Sequence, residues 1–296
     1  MYDIIIIGAG PAGLTAAIYG ARANKKVLVL EALTYGGQII NTNKIVNYPG
    51  YSEISGVDFA TNLFEQAKGL GAEIKFERVI NIDTKNLVVY TKENEYNTRS
   101  IILAMGVQNK KTGLINEDRY VGRGISYCAT CDGNFYKDKD VCIYGGEANT
   151  LEDAIYLSDI CRNVYLINKS DKFRDGDSLL EEVKNKNNIK LLLNTTIKNI
   201  NGDKNIESIE VFNKEGKSEL KIDGLFIALG KIPENNNIVK DIKTDDNGFI
   251  VAKEDCHTNI NHIYVAGDIR DKNLRQLTTA CADGANAATM AIKELR

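Results

Sequence analysis

The segment DIIIIGAGPAGLTAAIYGARANKKVLVLEA (residues 3–32) leaves the chain few folds to choose from. An apolar strand runs into a glycine turn, the turn opens onto an amphipathic helical run, and Val27–Leu30 supply a second apolar strand. That order is the βαβ unit of a parallel sheet. Gly8, Gly10 and Gly13, with Pro11 and Ala12 between them, fit G-x-G-x-x-G at the strand-to-helix junction. There one glycine makes the tight turn, one lets a pyrophosphate approach, and one lets helix and strand pack closely. The helix N-terminus adds N–H groups and a positive dipole end. Glu31 ends the second strand, where a carboxylate accepts hydrogen bonds from a ribose. A bound dinucleotide is therefore expected in preference to a purely structural turn, and the motif does not choose between FAD and NAD.

A second segment, DVCIYGGEANTLEDAIYLSDICRNVYLINKS (140–170), repeats the pattern of strand, glycine turn, helix and strand. Gly145 and Gly146 are in place, but Glu147 stands where such a loop carries a glycine, so a carboxylate would face a pyrophosphate. Either the loop has lost its ligand, or it has drifted and still binds nucleotide through its backbone.

Two βαβ starts in 296 residues imply two nucleotide-binding-type domains, each large enough for a core. Residues 86–106 alternate, turn and become an apolar strand, as an antiparallel pair feeding a sheet does, and residues 207–230 do something parallel. A last strand over 262–268 and a helix over 277–295 close the chain. Apolar content of 43%, charged content of 26% and a net charge of −3 are those of a globular protein and do not support a nucleic-acid binder. The chain opens on its strand without a basic leader, and no apolar run approaches the ~20 residues that span a bilayer, so a cytoplasmic protein without membrane contact is expected. Of six cysteines, Cys142, Cys161, Cys256 and Cys281 are scattered without a disulfide framework.

Cys128 and Cys131 form the only C-x-x-C, in SYCATCDGNFY (126–136). Such a pair can close a small disulfide, and its thiolate can exchange with a partner's disulfide. Half a zinc site is the alternative, but no second C-x-x-C exists and the two histidines, His257 and His262, lie near Cys256, so no metal is expected. Asp132 precedes a glycine, and Asp-Gly favours a turn whatever the chemistry.

The hexapeptide C-A-T-C-D-G, with YGGQIINTNKIVNYPGY (35–51) and VAGDIRDKNLRQLTTACADGANAA (265–288), resembles the low-molecular-weight thioredoxin reductase family over nearly the whole chain. The resemblance implies an α/β fold of two Rossmann-like, three-layer domains, of the two-dinucleotide-binding-domain flavoprotein type, the second inserted in the first. The FAD domain would comprise 1–111 and 242–296, and the redox-disulfide domain 112–241. Gly36, Gly37, Gln38, Thr42 and Asn47 would line the isoalloxazine and ribityl chain of FAD. Asp268 would bind the ribityl and phosphate region, with Arg275, Gln276 and Leu277 near the ring; Gly106 and Gly267 are counted with them. Cys131 would face the flavin, Cys128 would attack thioredoxin, and Asp132 would be the acid–base group. Because one cysteine pair cannot touch buried flavin and a partner's disulfide at once, an inter-domain rotation is implied, as in the family. A homodimer is also implied.

The second loop departs from the family. NADPH-using members carry a third glycine where Glu147 stands, a small residue where Thr150 stands, and a His-Arg-Arg run where Asn168-Lys169-Ser170 stand; Arg174 alone matches their further arginine. Intact flavin and dithiol motifs beside a degraded nucleotide loop resemble the ferredoxin-dependent flavin thioredoxin reductases. Ferredoxin is accordingly the expected electron donor and thioredoxin, or a similar protein, the expected acceptor. Three alternatives stand beside this reading: a conventional NADPH-dependent reductase with a tolerant site, a variant with a second cofactor in the vacated cleft, and a redox-responsive binding or electron-relay flavoprotein without disulfide reductase turnover.

Overall fold

A computed structural model describes residues 1–174, 177–234 and 238–295. In chain order the elements begin with β1 (Tyr2–Ile7), α1 (Pro11–Arg22), β2 (Val27–Leu30), α2 (Gly56–Gly69), β3 (Glu73–Lys75), β4 (Val79–Asp83), β5 (Val88–Thr91), β6 (Glu95–Leu103) and β7 (Val107–Asn109). They continue with α3 (Glu117–Tyr120), β8 (Ile125–Ser126), α4 (Ala129–Asp132), β9 (Asp140–Gly145), α5 (Ala148–Ser158), β10 (Asn163–Ile167), α6 (Asp177–Asn185) and β11 (Ile189–Leu192). The last are β12 (Thr196–Asn201), β13 (Ser208–Asn213), β14 (Gly216–Lys221), β15 (Gly224–Ala228), β16 (Lys231–Pro233), β17 (Ile263–Val265) and α7 (Leu277–Glu294). Two compact units result: residues 1–108 with 232–296, and residues 109–231. The second crossing falls at 231–232 and not at 241–242, because Ile238 and Val239 join the first unit's core and the Ile238 carbonyl accepts the Ile82 N–H at 2.9 Å.

The first unit is a sheet of order β3-β2-β1-β6-β5-β4, with β17 on the far side of β6. β6 explains its own sequence. Its first half pairs antiparallel with β5 and alternates exposed and buried; its second half lies parallel between β1 and β17 and is buried throughout. Helices α1 and α7 cover one face, packed through small residues: a Cβ on Gly284 would lie 2.1 Å from the Ala12 carbonyl. The second unit repeats the scheme with a wholly parallel sheet, β11-β10-β9-β15-β8. Here the halves differ. The hairpin β13–β14 stays in a separate three-stranded sheet with β12, and β15 starts anew after a turn. Gly224 opens that strand beneath the Tyr136 ring, where a Cβ would lie 2.4 Å from Cε1. Helix α2 went unread in the sequence.

Candidate active site

In the first loop, Gly8 (φ +104°) and Gly13 are held by packing. A Cβ on Gly8 would lie 2.4 Å from the Ala104 carbonyl oxygen, and one on Gly13 would lie 1.9 Å from that of Gly8. Gly10 is different: a Cβ there would meet nothing within 4 Å. Gly10 is also the N-cap of α1, which has Pro11 in its first turn, no side-chain cap and no acidic residue there. Open space before an uncapped, acid-free helix N-terminus fits a diphosphate. Beside it the Glu31 carboxylate is pinned by the N–H groups of Ala9 (2.8 Å) and Leu33 (2.9 Å), an orientation suited to a ribose.

The segment after β2 folds over this loop. Gly36 (φ +99°) donates its N–H to the Ala9 carbonyl at 2.8 Å, and a Cβ on Gly37 would reach the Gly10 Cα at 3.4 Å. Gln38 lies in the 3-10 turn Gly37–Asn41, which Thr42 ends while accepting the Gly56 N–H. Asn47 donates to Gln276 at 3.3 Å, joining this segment to the N-cap of α7, where Leu277 begins the helix. Gly106 (φ +73°) has open space around it, while Gly267 (φ +82°) is buried against Ala12, where a Cβ would lie 2.8 Å from the alanine methyl.

Asp268 follows Gly267 and stands 4.0 Å from the Lys272 ammonium. Arg275 is turned inward. Its guanidinium donates to the carbonyls of Asp268 (3.0 Å), Lys272 (2.9 Å) and Arg270 (3.2 Å) and stacks 3.9 Å from the Phe249 ring centre. The side chain therefore shapes the loop before α7.

A buried network missed in the sequence does the same from beneath. Asp283, 3% exposed, accepts from the Gly267 N–H, from Arg270 through two nitrogens at 3.1 and 2.9 Å, and from Lys272 at 2.9 Å. Removing one partner of such a buried ion cluster costs about 3–5 kcal/mol. The one available signal was a charged residue inside the small-residue run TTACADGANAA.

Cys128, Cys131 and Asp132 belong to the second unit, the other candidate residues to the first. Cys128 caps the short helix α4 and is joined to Cys131 by a disulfide with Cα atoms 5.3 Å apart. The Cys131 N–H points at the Cys128 sulfur (3.2 Å), a donor that favours the thiolate once the pair is reduced. Asp132 is half-buried, and burial pushes its carboxyl above the ordinary range. The Ser126 hydroxyl, also missed, donates to it at 2.6 Å. The histidines take no part here: His257 (2.7 Å) and His262 (3.3 Å) both meet Glu294 in the first unit.

The second glycine loop follows the logic of the first. A Cβ on Gly145 would lie 2.5 Å from the Ala228 carbonyl, as one on Gly8 would approach that of Ala104. Glu147 is the N-cap of α5, the place Gly10 holds on α1. Its carboxylate meets the Arg174 guanidinium at 3.3 Å, and the backbones join as well, Arg174 N–H to Gly146 carbonyl at 2.9 Å. Thr150 fills the third position, and its hydroxyl donates to the Ala228 carbonyl at 3.3 Å. Asn168 is 1% exposed and orders its own loop, accepting the Ser170 N–H (3.0 Å) and donating to the Lys172 carbonyl (2.9 Å). The loop thus places an acid at the start of α5, and the one matching arginine already faces it.

The fold is shared with known proteins. The family model described as pyridine nucleotide-disulphide oxidoreductase matches residues 2–284. A thioredoxin reductase of Peptoclostridium acidaminophilum is 38% identical, with 99% of this chain and 96% of that one covered. One from Bacillus subtilis is 38% identical, covering 97% and 93%. The crystal structure of thioredoxin reductase from Streptococcus pyogenes is 35% identical, covers 100% of this chain and 98% of that one, and superposes with a TM-score of 0.95. Among the described residues no helix is long and apolar enough to cross a membrane.

Proposed function

The chain belongs to the pyridine nucleotide-disulphide oxidoreductases, among the FAD-dependent low-molecular-weight thioredoxin reductases, and we propose that its electrons come from reduced ferredoxin and not from NADPH. The observation that carries the donor assignment is Glu147, an acid at the start of α5 paired with Arg174, set against the open Gly10 at the start of α1. A pyrophosphate there would displace that pairing and face a carboxylate. A 2′-phosphate would also lack the guanidinium grip, at ~1.5–3 kcal/mol for each charge-assisted bond lost, which amounts to orders of magnitude in affinity.

The Gly8–Gly13 loop, Glu31, the 36–47 segment and the loop before α7 would hold FAD, which would supply a centre able to take up electrons singly and give them up in pairs, as a one-electron donor requires. The chain's own residues do the rest. With Cys128 and Cys131 reduced, the Cys128 thiolate attacks one sulfur of the thioredoxin disulfide, forming a mixed disulfide and releasing the other sulfur, which takes a proton. The Cys131 thiolate then attacks Cys128, closing the Cys128–Cys131 disulfide and releasing thioredoxin as a dithiol two electrons richer. Asp132, whose carboxyl burial pushes above the ordinary range, holds and returns the proton. As an assembly we propose a homodimer.

The test is an anaerobic titration of the flavin absorbance with NADPH, NADH and reduced ferredoxin. Reduced ferredoxin should bleach the flavin and, with thioredoxin present, generate thiols; Cys128→Ser should abolish thiol formation with the flavin still bound. Rapid bleaching by one equivalent of NADPH would overturn the donor assignment.

A further inference from the structure

We propose that Ser126 is a positioning residue for the disulfide chemistry, holding the Asp132 carboxyl in one place whether it is ionised or protonated. The inference rests on Asp132 being the acid–base group. Ser126 ends β8 and is 5% exposed. Its Oγ lies 2.6 Å from Asp132 Oδ2, 3.0 Å from the Cys128 backbone nitrogen and 3.3 Å from the Cys128 carbonyl oxygen. A hydroxyl has one proton to give and two lone pairs to receive, and these three neighbours match that inventory in two ways. With Asp132 ionised, Ser126 donates to Oδ2 and accepts the Cys128 N–H. With a proton on Oδ2, the carboxyl donates to Ser126, which turns its own proton to the Cys128 carbonyl and still accepts the Cys128 N–H. Each hydrogen in this set has an acceptor in both states, so the carboxyl can gain or lose a proton without moving. The same hydroxyl ties that carboxyl to the backbone of Cys128.

The groups around Asp132 leave Ser126 this role. Among the described residues the titratable groups placed near Asp132 are the Tyr136 phenol, from the 3-10 turn after α4, the Tyr156 phenol, from α5, and the two sulfurs of the C-x-x-C. Tyr136 is pushed up to about 12 by burial and by the nearby acids, so it stays neutral through the working range. β8 brings only Ile125 and Ser126, and from α5 the ring of Tyr156 packs against Gly133. Burial raises the Asp132 carboxyl, and the Ser126 bond is what draws it back down.

The experiment uses the holoprotein, reduced anaerobically with dithionite and mixed with oxidised thioredoxin in single turnovers from pH 5 to 9. Asp132→Asn marks the limb of the profile that belongs to the acid, by removing it. Ser126→Ala is expected to move that limb upward by about one unit, since the ionised carboxylate loses a charge-assisted hydrogen bond and the protonated carboxyl only a weaker neutral one. Ser126→Thr, which keeps the hydroxyl, should return it. Isotope-edited infrared titration of the Asp132 carboxyl should report the same displacement without turnover. If Ser126→Ala leaves both the limb and the carboxyl titration where the wild type has them, the inference falls and the acid remains. If Asp132→Asn leaves the profile unchanged, the acid assignment falls and takes the inference with it.

Discussion

The two glycine loops share a backbone and differ in what they leave open. Gly8 and Gly145 are kept because the carbonyls of Ala104 and Ala228 leave no room for a Cβ. That demand comes from the sheet and is the same in both units. Gly10 has space around it, so nothing in the protein's own packing requires a glycine there. At the equivalent place, the N-cap of α5, the chain carries Glu147. The strand-end glycine survives in both loops, Gly13 gives way to Thr150, and the glycine that leaves open space before the helix survives only in the first. The side chains reinforce the contrast. Asn168 and Thr150 spend their hydrogen bonds inside the second loop, whereas the start of α1 has no capping side chain.

The comparison breaks most sharply if the acid is moved. Gly10→Glu copies the second loop into the first without a clash, so the protein should fold, yet FAD affinity should fall about a hundredfold or more, ~3 kcal/mol. Flavin absorbance per chain after gel filtration checks this. Retention of full flavin would mean that an acid at a helix start does not exclude a diphosphate, and the donor assignment would lose its support.

A second difference lies along the helices. The first turn of α1 holds no acid and its buried positions carry no charged residue, whereas α5 carries half-buried Asp153, pushed up to about 6 by burial first and by Glu152 next. A carboxyl with a raised folded pKa contributes stability that is fully present below its unfolded value of about 4 and is lost as pH rises through about 6. Asp153→Asn should therefore gain up to about 2 kcal/mol over the wild type above pH 7 and little at pH 4. Denaturant unfolding at the two pH values measures it. An equal gain at both would assign the effect to something other than ionisation.

The smallest change runs the other way. Glu147→Gly releases Arg174 and reopens the start of α5, and should tighten binding of 2′,5′-ADP about tenfold, ~1.4 kcal/mol. Fluorescence or calorimetric titration reads it. Stability should change by under ~1 kcal/mol, because both members of the pair are exposed to solvent. NADPH reduction should remain slow, since Asn168 stays committed to its own loop.

What could be read along the chain was set by local rules. Strand-turn-helix order, the alternation in β6 and the closeness of Cys128 to Cys131 follow from backbone geometry and near neighbours, so both βαβ units and the redox pair were visible in residue order. Glu147 was visible as a missing glycine. Its engagement with Arg174 was not, because it depends on how the chain returns after β10. Ser126 reads as one more strand residue until α4 turns Asp132 back onto its hydroxyl. Arg275 reads as one more surface cation until the loop before α7 brings three carbonyls onto its guanidinium. Asp283 reads as a blemish in a helix of small residues until Arg270 and Lys272 are folded onto it. In each case the residue type was plain and its partner was not, since buried charges and hydrogen-bonding groups must be satisfied, and only the folded chain determines which groups arrive to satisfy them.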